Sequence, residues 1–414
     1  MLSRLTDTAV LASVLCATIC CATPISSKRG ECGDALPEVT DSSVDISDRY
    51  IVTLKPGTDV SQHLSHVQDF LHADFTKSHE GKVFEGVTHE YDLPDIRAYA
   101  GHFDSAAIDR LRTHDDIVDI EKDQIWALPD LTPSASYGLS LISHRGAGPD
   151  NAYFYDSTAG SSTFAYVIDS GINTAHPEFE SRASLGYNAI GSFPFKDTDG
   201  HGTHVAGIIG SKTYGVAKKC RLIAVKAFER DTGMKIRLMD AYGWAVNDIL
   251  ERRRQSKAVI NISASVPYSK ALNQMVDEAF RKGVTTVCSA GNKGKRASER
   301  SPGSAESAIT VGATDARRQR VVLYDWKSNW GPAVKIYAPG LGIRSTWHGS
   351  MTWVGSGTSQ ASAYVAGVVV YLKRLEGLDD ARSTMTRVLH LASKGIVGDP
   401  KGGWNLFVYN GSGK

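Results

Sequence analysis

The chain has 414 residues, of which 42% are hydrophobic, and its 46 Lys and Arg residues are balanced by 45 Asp and Glu residues. This length accommodates one large core of about 250 to 300 residues together with a smaller domain and a targeting segment. The balanced charge gives no strongly basic surface of the kind that binds nucleic acid or an anionic membrane. We therefore expect neither a nucleic-acid partner nor a membrane partner.

The chain begins with a pattern that is typical of a signal peptide. Arg4 is followed by an apolar stretch over residues 9–19 and then by small residues up to Ala22. This predicts a signal peptide over residues 1–22 and a secreted protein, and the apolar stretch is too short to span a bilayer. The polar stretch 23–48 is predicted to be a linker.

The six cysteines do not form the framework of a disulfide-built protein. Cys16, Cys20 and Cys21 lie in the predicted signal peptide, which leaves Cys32 in the linker and a last pair further on. That pair is Cys220 and Cys288, whose bonding the sequence does not decide. Of the two alternatives, we favour free buried thiols over a bridge.

Residues 49–127 alternate between strand-like and helix-like patterns. The predicted strands are 50–54, 83–93, 96–103 and 117–120, and helical spacing occurs over 60–71 and 106–111. The order β-α-β-β-α-β is the split βαβ, or ferredoxin-like, arrangement. We predict a small α+β domain here.

The remainder, residues 128–414, is predicted to be one larger α/β domain. Residues 128–145 have no sustained period and are expected to be an exposed connection in which the chain could be cut. From Thr163 onward, continuous apolar strands alternate with helical segments. This alternation predicts a mostly parallel sheet that is covered by helices on both faces, a three-layer αβα arrangement.

Three polar residues stand at positions where a parallel sheet gathers catalytic groups. Asp169 follows a buried strand, His201 stands between two glycines before a helix, and Asn292 follows the strand that ends near Ser289. Each also has an ordinary structural explanation, because Asp and Asn are common turn residues. His201 and His204 are spaced like metal ligands, but no H-E-x-x-H pattern accompanies them, so we favour a general base over a metal site.

Ser359 is the candidate nucleophile. It follows Gly355-Ser-Gly-Thr and opens a long stretch of small and apolar residues, which predicts a central buried helix with Ser359 at its N-terminus. The unpaired N–H groups and the dipole of that helix end favour developing negative charge. The alternative is that Ser359 only caps the helix.

Four motifs in order resemble the signatures of the subtilase family. They are VIDSGI around Asp169, HGTHVAG around His201, SAGN ending at Asn292 and GTSQASAYVAG around Ser359. Smaller matches, such as Ser328-Asn-Trp-Gly331, resemble the proteinase K branch, and residues 50–126 are similar to the inhibitory propeptide of such enzymes. The order Asp, His, Ser agrees with subtilisins.

The resemblance implies a serine endopeptidase made as a zymogen. Ser359 would attack a peptide carbonyl, His201 would take and return the proton, Asp169 would orient His201, and Asn292 would hold the oxyanion. Activity would then rise through about pH 6 to 8, as for a histidine with an unperturbed pKa near 6.5. The propeptide would be removed by self-cleavage between Ile125 and Asp130.

The family's substrate-binding edges are altered in this sequence. The residues expected at the substrate are Gly233, Met234, Lys235, Ser263, Ala264, Ser265, Ala290 and Gly291. Side chains replace glycines where a substrate strand should lie close, and Pro267 lacks a backbone donor. Lys293, Lys295 and Arg296 allow a preference for acidic residues, but a solvated loop is the favoured interpretation.

No cofactor or metal is expected. A calcium ligand of the proteinase K branch is replaced by Lys335, and a cation cannot ligate calcium. Two glycosylation sequons occur, and because Asn261 falls in a predicted buried strand, Asn410 is the expected acceptor.

The predicted activity is that of a broad-specificity endopeptidase acting on extracellular protein or peptide substrates, held inactive by its own propeptide and monomeric. The alternative from another class is a pseudo-protease, a secreted binding protein whose altered edges no longer admit substrate productively. A metallohydrolase using His201 and His204 is a more distant alternative, and inhibition by a chelator would distinguish it.

Overall fold

The computed structural model describes residues 47–74, 84–93, 96–123, 125–127, 137–146, 152–191, 194–229 and 232–413. The predicted signal peptide and nearly all of the predicted linker lie outside these residues. Among the helices of the described segments, none combines the length and the apolar character needed to cross a membrane.

The described residues between 47 and 123 fold as the predicted ferredoxin-like domain, here called the N-terminal domain. Its elements are β1 (Arg49–Leu54), α1 (Val60–Asp74), β2 (Gly86–Leu93), β3 (Ile96–His102), α2 (Ser105–Leu111) and β4 (Ile117–Lys122). The four strands form an antiparallel sheet in the order β2-β3-β1-β4. Because side chains alternate along a strand, Val52 and Leu54 face the helices while Ile51 faces the opposite side.

A short strand, β5 (Ile125–Ala127), leads into the C-terminal domain, which contains residues 137–413. Its helices are α3 (Gly138–Ser143), α4 (His201–Gly210), α5 (Lys235–Glu251), α6 (Lys270–Arg281), α7 (Thr358–Glu376) and α8 (Ala381–Leu391). Its strands are β6 (Phe164–Asp169), β7 (Ala183–Asn188), β8 (Arg221–Lys226), β9 (Thr232–Met234), β10 (Ala258–Ile262), β11 (Val266–Pro267), β12 (Thr285–Ser289), β13 (Arg300–Ser301), β14 (Ile309–Thr314), β15 (Ile336–Pro339), β16 (Ile343–Thr346), β17 (Thr352–Gly355), β18 (Ser393–Lys394) and β19 (Leu406–Phe407). Short 3-10 turns occur at Pro177–Phe179 and Ala297–Glu299.

Nine of these strands form one sheet in the order β18-β19-β15-β14-β12-β10-β6-β8-β7. All neighbouring pairs are parallel except β18 with β19 at one edge. Side chains alternate along β6, so that Ala165 and Val167 pack with α4 and α7 while Tyr166 and Ile168 pack with α5 and α6. The predicted three-layer αβα arrangement is confirmed.

The expected exposed connection over residues 128–145 is wrong at its end. Residues 138–143 form α3, and every residue of this helix is buried. Leu141 packs against Phe407 and Ile142 against the α7 side of the core. Leu139, Leu141 and Ile142 are too few to produce a helical period over a Ser-rich stretch, which is why the pattern did not reveal the helix.

Candidate active site

The polar residues singled out from the sequence meet at one edge of the large sheet. Asp169 is the last residue of β6, Ser263 follows β10, and Ala290 follows β12. These three parallel strands are neighbours in the sheet, so their carboxyl ends lie side by side. Helices α4 and α7, which begin at His201 and Thr358, contribute the remaining groups.

Asp169 and His201 form a buried pair. The Nδ1–H group of His201 donates to Oδ1 of Asp169 at 2.7 Å, and the backbone N–H of Ser170 donates to the same oxygen at 2.8 Å. Asp169 is 0% exposed and His201 2% exposed. The carboxylate therefore holds the imidazole in the tautomer whose Nε2 is unprotonated and able to accept a proton.

Asp169 and His201 can approach closely because the residue after His201 is a glycine. A Cβ on Gly202 would lie 2.1 Å from the carbonyl oxygen of Gly171 and 3.0 Å from Oδ1 of Asp169. No side chain fits there, so the glycine of the HGTHVAG motif is a packing requirement.

Burial and charge oppose each other at His201. Burial lowers the pKa of His201, but the charge and hydrogen bond of Asp169, together with the charges of Asp199 and Asp197, outweigh it and raise the pKa to about 9. At Asp169, burial raises the pKa, and the adjacent His201 limits that rise by stabilising the carboxylate. The imidazole is thus more basic than a free histidine.

Asp197 is a site residue that the sequence analysis missed. Its Oδ1 accepts from the Ser170 hydroxyl at 2.9 Å, and its Oδ2 accepts from the backbone N–H of Thr203 at 2.8 Å. The Ser170 hydroxyl in turn accepts from the N–H of Gly202. This buried carboxylate ties the end of β6 to the first turn of α4. Its position between Lys196 and the HGTHVAG motif carried no recognisable signal.

Ser359 lies in the first turn of α7, as predicted, and is 1% exposed. Its hydroxyl donates to the carbonyl oxygen of Ser263 at 3.0 Å. Nε2 of His201 has no hydrogen-bond partner among the described residues. The serine–histidine hydrogen bond implied by the resemblance is therefore not formed here, and catalytic hydrogen bonds of this kind often tighten only when substrate binds.

Asn292 is oriented by the same helix. Its Oδ1 accepts from the backbone N–H of Thr358 at 2.9 Å and from the Thr358 hydroxyl at 2.8 Å. With Oδ1 held in this way, the Nδ2 amide is left as the donor on the opposite side. Gly291 has a φ of +98°, and a Cβ there would lie 2.6 Å from the Asn329 side chain. The turn that aims Asn292 therefore requires glycine.

His204 does not combine with His201 in a metal site. It is fully buried, and its Nε2 contacts the carbonyl oxygens of Ile343 at 3.0 Å and Trp353 at 3.2 Å. Burial, and next the charge of His201, lower the pKa of His204 to about 3, so the ring is neutral. Its Nε2–H donates to carbonyl groups, and the spacing that suggested a metal site has a structural explanation.

A narrow pocket opens beside Ser359 and contains residues that the sequence analysis did not assign. It is lined by Ser263, Ala264, Ser265, Ser289, Gly291, Asn292, Lys293, Arg300, Asn329, Thr358 and Ser359. Asn329 shapes one wall, since its Oδ1 accepts from the N–H groups of Lys293 and Lys295 and its Nδ2 donates to Ala290. Asn329 belongs to the Ser328-Asn-Trp-Gly331 segment that resembles the proteinase K branch, and this match could have identified Asn329 as a site residue.

The strand β5 occupies one of the predicted substrate-binding edges. It pairs antiparallel with β9, so that Trp126 lies opposite Gly233 and Ile125 opposite Met234. On its other side β5 runs near β11, which follows the second predicted edge, Ser263 to Ser265. Lys235 lies at the start of α5, where its ammonium group contacts Glu121.

Two carboxylates of the N-terminal domain bind the N-termini of α5 and α6. Asp123 accepts from the N–H of Ile236 at 3.2 Å. Glu121 accepts from the hydroxyl of Ser269, the N-cap of α6, at 2.5 Å. Negative charge at the positive end of a helix dipole is stabilising, typically by about 0.3 to 1 kcal/mol at exposed sites and up to about 2 kcal/mol when partly buried.

The remaining predicted residues are placed as follows. Cys220 and Cys288 are free and buried, as favoured. Lys335 donates from its ammonium group to the carbonyl oxygen of Ala308 at 2.8 Å. Asn261 is buried, as expected. Asn410 is also fully buried, with its amide donating to Phe154 at 2.7 Å, and this burial argues against the predicted glycan on Asn410 in the folded protein.

Comparison with known families agrees with this arrangement in both domains. A model described as the subtilase family matches residues 160–399, and a model described as peptidase inhibitor I9 matches residues 49–129. The chain belongs to the subtilase family. It is a serine endopeptidase of that family, made as a zymogen with an inhibitor-type propeptide.

Full-length relatives support the same assignment. Alkaline protease 1 of Aspergillus clavatus is 44% identical over 380 residues, which cover 90% of this chain and 93% of that protein. An alkaline proteinase of Hapsidospora chrysogena is 42% identical over 384 residues, covering 89% and 93%. The crystal structure of a cold adapted subtilisin-like serine proteinase has a TM-score of 0.61 at 33% identity, and the match covers 67% of this chain and 98% of that one.

The buried pair predicts an alkaline shift in activity. A general base must be neutral, so activity rises as pH increases through its pKa. Because Asp169 raises the pKa of His201, we expect kcat/KM of the processed subtilase to rise with a midpoint above 6.5, later than the sequence analysis assumed. If the pair belongs to a Ser-His-Asp triad, the Asp169→Asn variant should lower that midpoint and reduce kcat by about 10⁴-fold. A wild-type midpoint at or below 6.5, or an unchanged D169N profile, would contradict the pairing.

Proposed function

We propose that the chain is a secreted, self-processing endopeptidase in which Ser359, His201 and Asp169 act as the catalytic triad. The observation that carries this proposal is the buried 2.7 Å pair of His201 and Asp169 at the same sheet edge as the first turn of α7. That arrangement gives a nucleophile, a base and an orienting carboxylate in the family's chain order.

Peptide hydrolysis would proceed through an acyl-enzyme. Nε2 of His201 takes the proton of the Ser359 hydroxyl as its oxygen bonds to the substrate carbonyl carbon, and the amide Nδ2 of Asn292 donates to the resulting oxyanion. His201 then returns the proton to the leaving amine as the peptide bond breaks. A water molecule then bonds to the acyl carbon as His201 takes its proton. The bond from that carbon to the Ser359 oxygen breaks, His201 returns the proton to Ser359, and the acyl group leaves as a carboxylic acid.

The N-terminal domain would inhibit the enzyme by occupying its substrate edge. The antiparallel pairing of β5 with β9 is the geometry in which an extended peptide adds to an exposed strand. Tyr91 anchors the domain through its hydroxyl, which donates to the carbonyl of Ile236 at 3.0 Å, and Ile51 packs in the same apolar cluster as α5 and α6. We propose residues 49–127 as the propeptide domain and residues 128–414 as the peptidase domain.

Secretion and a monomeric state belong to the same proposal. Secretion is supported by the leader pattern of residues 1–22. The pseudo-protease alternative is disfavoured, because a binding protein would not need the buried pair, Ser359 and Asn292 together. No finding from the comparisons favours it.

Self-processing can be tested with the Ser359→Ala precursor. Purified wild-type precursor should mature to a shorter form, whereas S359A should stay intact because it lacks the nucleophile. The S350A variant is a matched control, since Ser350 is exposed and does not line the pocket. Mass spectrometry of each protein, refolded alone, gives the measurement. Identical processed N-termini from S359A and wild type would contradict self-cleavage.

A further inference from the structure

The pocket beside Ser359 contains a positive charge that the sequence analysis did not place there. Arg300 is held by β13, whose residues Arg300 and Ser301 pair antiparallel with β11. Its guanidinium donates from Nε to the Ser265 hydroxyl at 3.1 Å and from Nη2 to the Ser265 carbonyl at 2.5 Å. The side chain is thereby fixed against the second substrate-binding edge.

The positive charge of this guanidinium is only partly offset by nearby negative charge. It is partly buried, and among the described residues no carboxylate forms an ion pair with it. Burial lowers the pKa of Arg300 to about 10, and the charge of Glu299 offsets only part of that effect. A partly buried cation without a paired carboxylate is costly, and a substrate carboxylate would supply the missing partner. Lys293, exposed at the pocket rim, adds a second positive charge.

We propose that Arg300 makes this endopeptidase prefer an acidic side chain at the residue whose carbonyl Ser359 attacks. The proposal rests on the proposed function. The pocket is formed by Ser359, Asn292 and the Ser263 to Ser265 edge, so the side chain of that residue is the one placed in it. A carboxylate there accepts charge-assisted hydrogen bonds from the guanidinium.

The chain's own propeptide fits the same preference. Strand β5 ends at Ala127, opposite Thr232, and Asp130 follows three residues later in the sequence. Residues 128–130 lie outside the described residues. Within the stretch 125–130, where the sequence predicts the maturation cut, Asp130 is the only acidic residue. Cleavage after Asp130 would break the Asp130–Leu131 bond and make Leu131 the new N-terminus, directly after the stretch 125–130 and three residues past the domain boundary at residue 127.

The test uses processed enzyme and peptides that differ only in having Glu, Gln or Leu before the cleaved bond. We expect kcat/KM for the Glu peptide to exceed that for its Gln isostere by about 10- to 100-fold, the range for a hydrogen bond between charged groups. R300Q should abolish this preference for Glu over Gln. K295Q should retain it, because Lys295 lies outside the pocket. Turnover of the Leu peptide shows that each variant is folded.

Each outcome separates the specificity from the activity. A wild-type enzyme that cleaves the Leu peptide but not the Glu peptide would overturn the role of Arg300 and leave the peptidase intact. A Glu preference that persists in R300Q would do the same. Cleavage of no peptide by processed wild type would instead count against the proposed function. If R300Q cleaves no peptide, the wild-type ratio should still fall with added salt, because salt screens charge pairs.

A second, independent feature lies in the N-terminal domain. His63 of α1 meets His114 and Asp116 of the turn between α2 and β4, and one ligand atom from each lies within 4.8 Å of the others. Nδ1 of His63 is 3.6 Å, and Nδ1 of His114 is 3.7 Å, from Oδ2 of Asp116. Nδ1 of His63 is buried and has no hydrogen-bond partner among the described residues.

The donor set suits a divalent transition metal of the zinc class. Imidazole nitrogens and carboxylate oxygens are both ligands that Zn²⁺ binds in proteins. The other nitrogen of His63 lies 3.4 Å from the Tyr99 hydroxyl, which orients the ring as outer partners do at metal sites. Zinc bonds of about 2.0 to 2.1 Å place tetrahedral ligand atoms about 3.4 Å apart. The separations of 3.6 and 3.7 Å between the two imidazole nitrogens and Oδ2 of Asp116 are close to that value.

We infer that His63, His114 and Asp116 bind one Zn²⁺, with water as a fourth ligand, and that the ion links α1 to the start of β4. Binding would replace the long 3.3 Å contact in which the Asp116 N–H donates to Nδ1 of His114. Since β4 contains Glu121 and is followed by β5, the ion would stabilise the part of the domain that contacts the peptidase.

The test titrates untagged S359A precursor with Co²⁺ and follows its visible absorption, with Zn²⁺ as the competitor. We expect one equivalent to bind. H114Q and D116N, which change partly exposed residues, should weaken binding by more than the about 10- to 100-fold that loss of an outer-shell partner costs. D115N is the matched control, because Asp115 is exposed in the same turn. Absence of stoichiometric binding, or equal affinity in D116N and D115N, would overturn the site.

Discussion

The hydrogen bond between His201 and Asp169 is the interaction on which the rest of the site depends. A carboxylate taken fully out of water is unfavourable unless it is paired and hydrogen-bonded. Here the imidazole and the Ser170 N–H supply those partners. The pair can form only because β6 and α4 are fixed relative to each other, and Asp197 and Gly202 fix them. The geometry of the proposed triad therefore depends on how this edge of the sheet is packed.

The contact between the two domains likewise depends on buried groups that find partners. The sheet of the N-terminal domain buries one face on its own helices and the other on α5 and α6. The helix N-termini that this contact would otherwise leave without partners are met by Asp123 and Glu121. These contacts place β5 against β9, the strand that we propose as a substrate-binding edge. The proposed inhibition therefore follows from how the domain completes its packing, and a separate inhibitory device is not required.

Much of this arrangement could be predicted from the sequence, because the relevant signals are local. A strand that ends in Asp169 and a small-residue helix that begins near Ser359 are each recognisable in about ten residues. The order of strands and helices was sufficient for the three-layer fold and the ferredoxin-like domain. Motifs at strand ends identify a sheet edge because parallel strands bring their carboxyl ends together.

The features that were missed depend on contacts between distant segments. Arg300 enters the pocket only because β13 pairs with β11, a register that no local pattern shows. Asp197 acts through Ser170 and Thr203 on two other segments. Asn410 carries a sequon, but the packing of the C-terminus against Phe154 buries it. In each case, the sequence shows the chemical type of the residue but not the residues that surround it in the fold.

The most direct measurement of the central claim is labelling of the folded, processed protein with a fluorophosphonate, followed by identification of the modified peptide. If His201 and Asp169 activate Ser359, the label should be on Ser359 and should be lost in S359A and strongly reduced in H201A. A processed, folded protein that takes up no label, or that is labelled at another serine, would contradict the account.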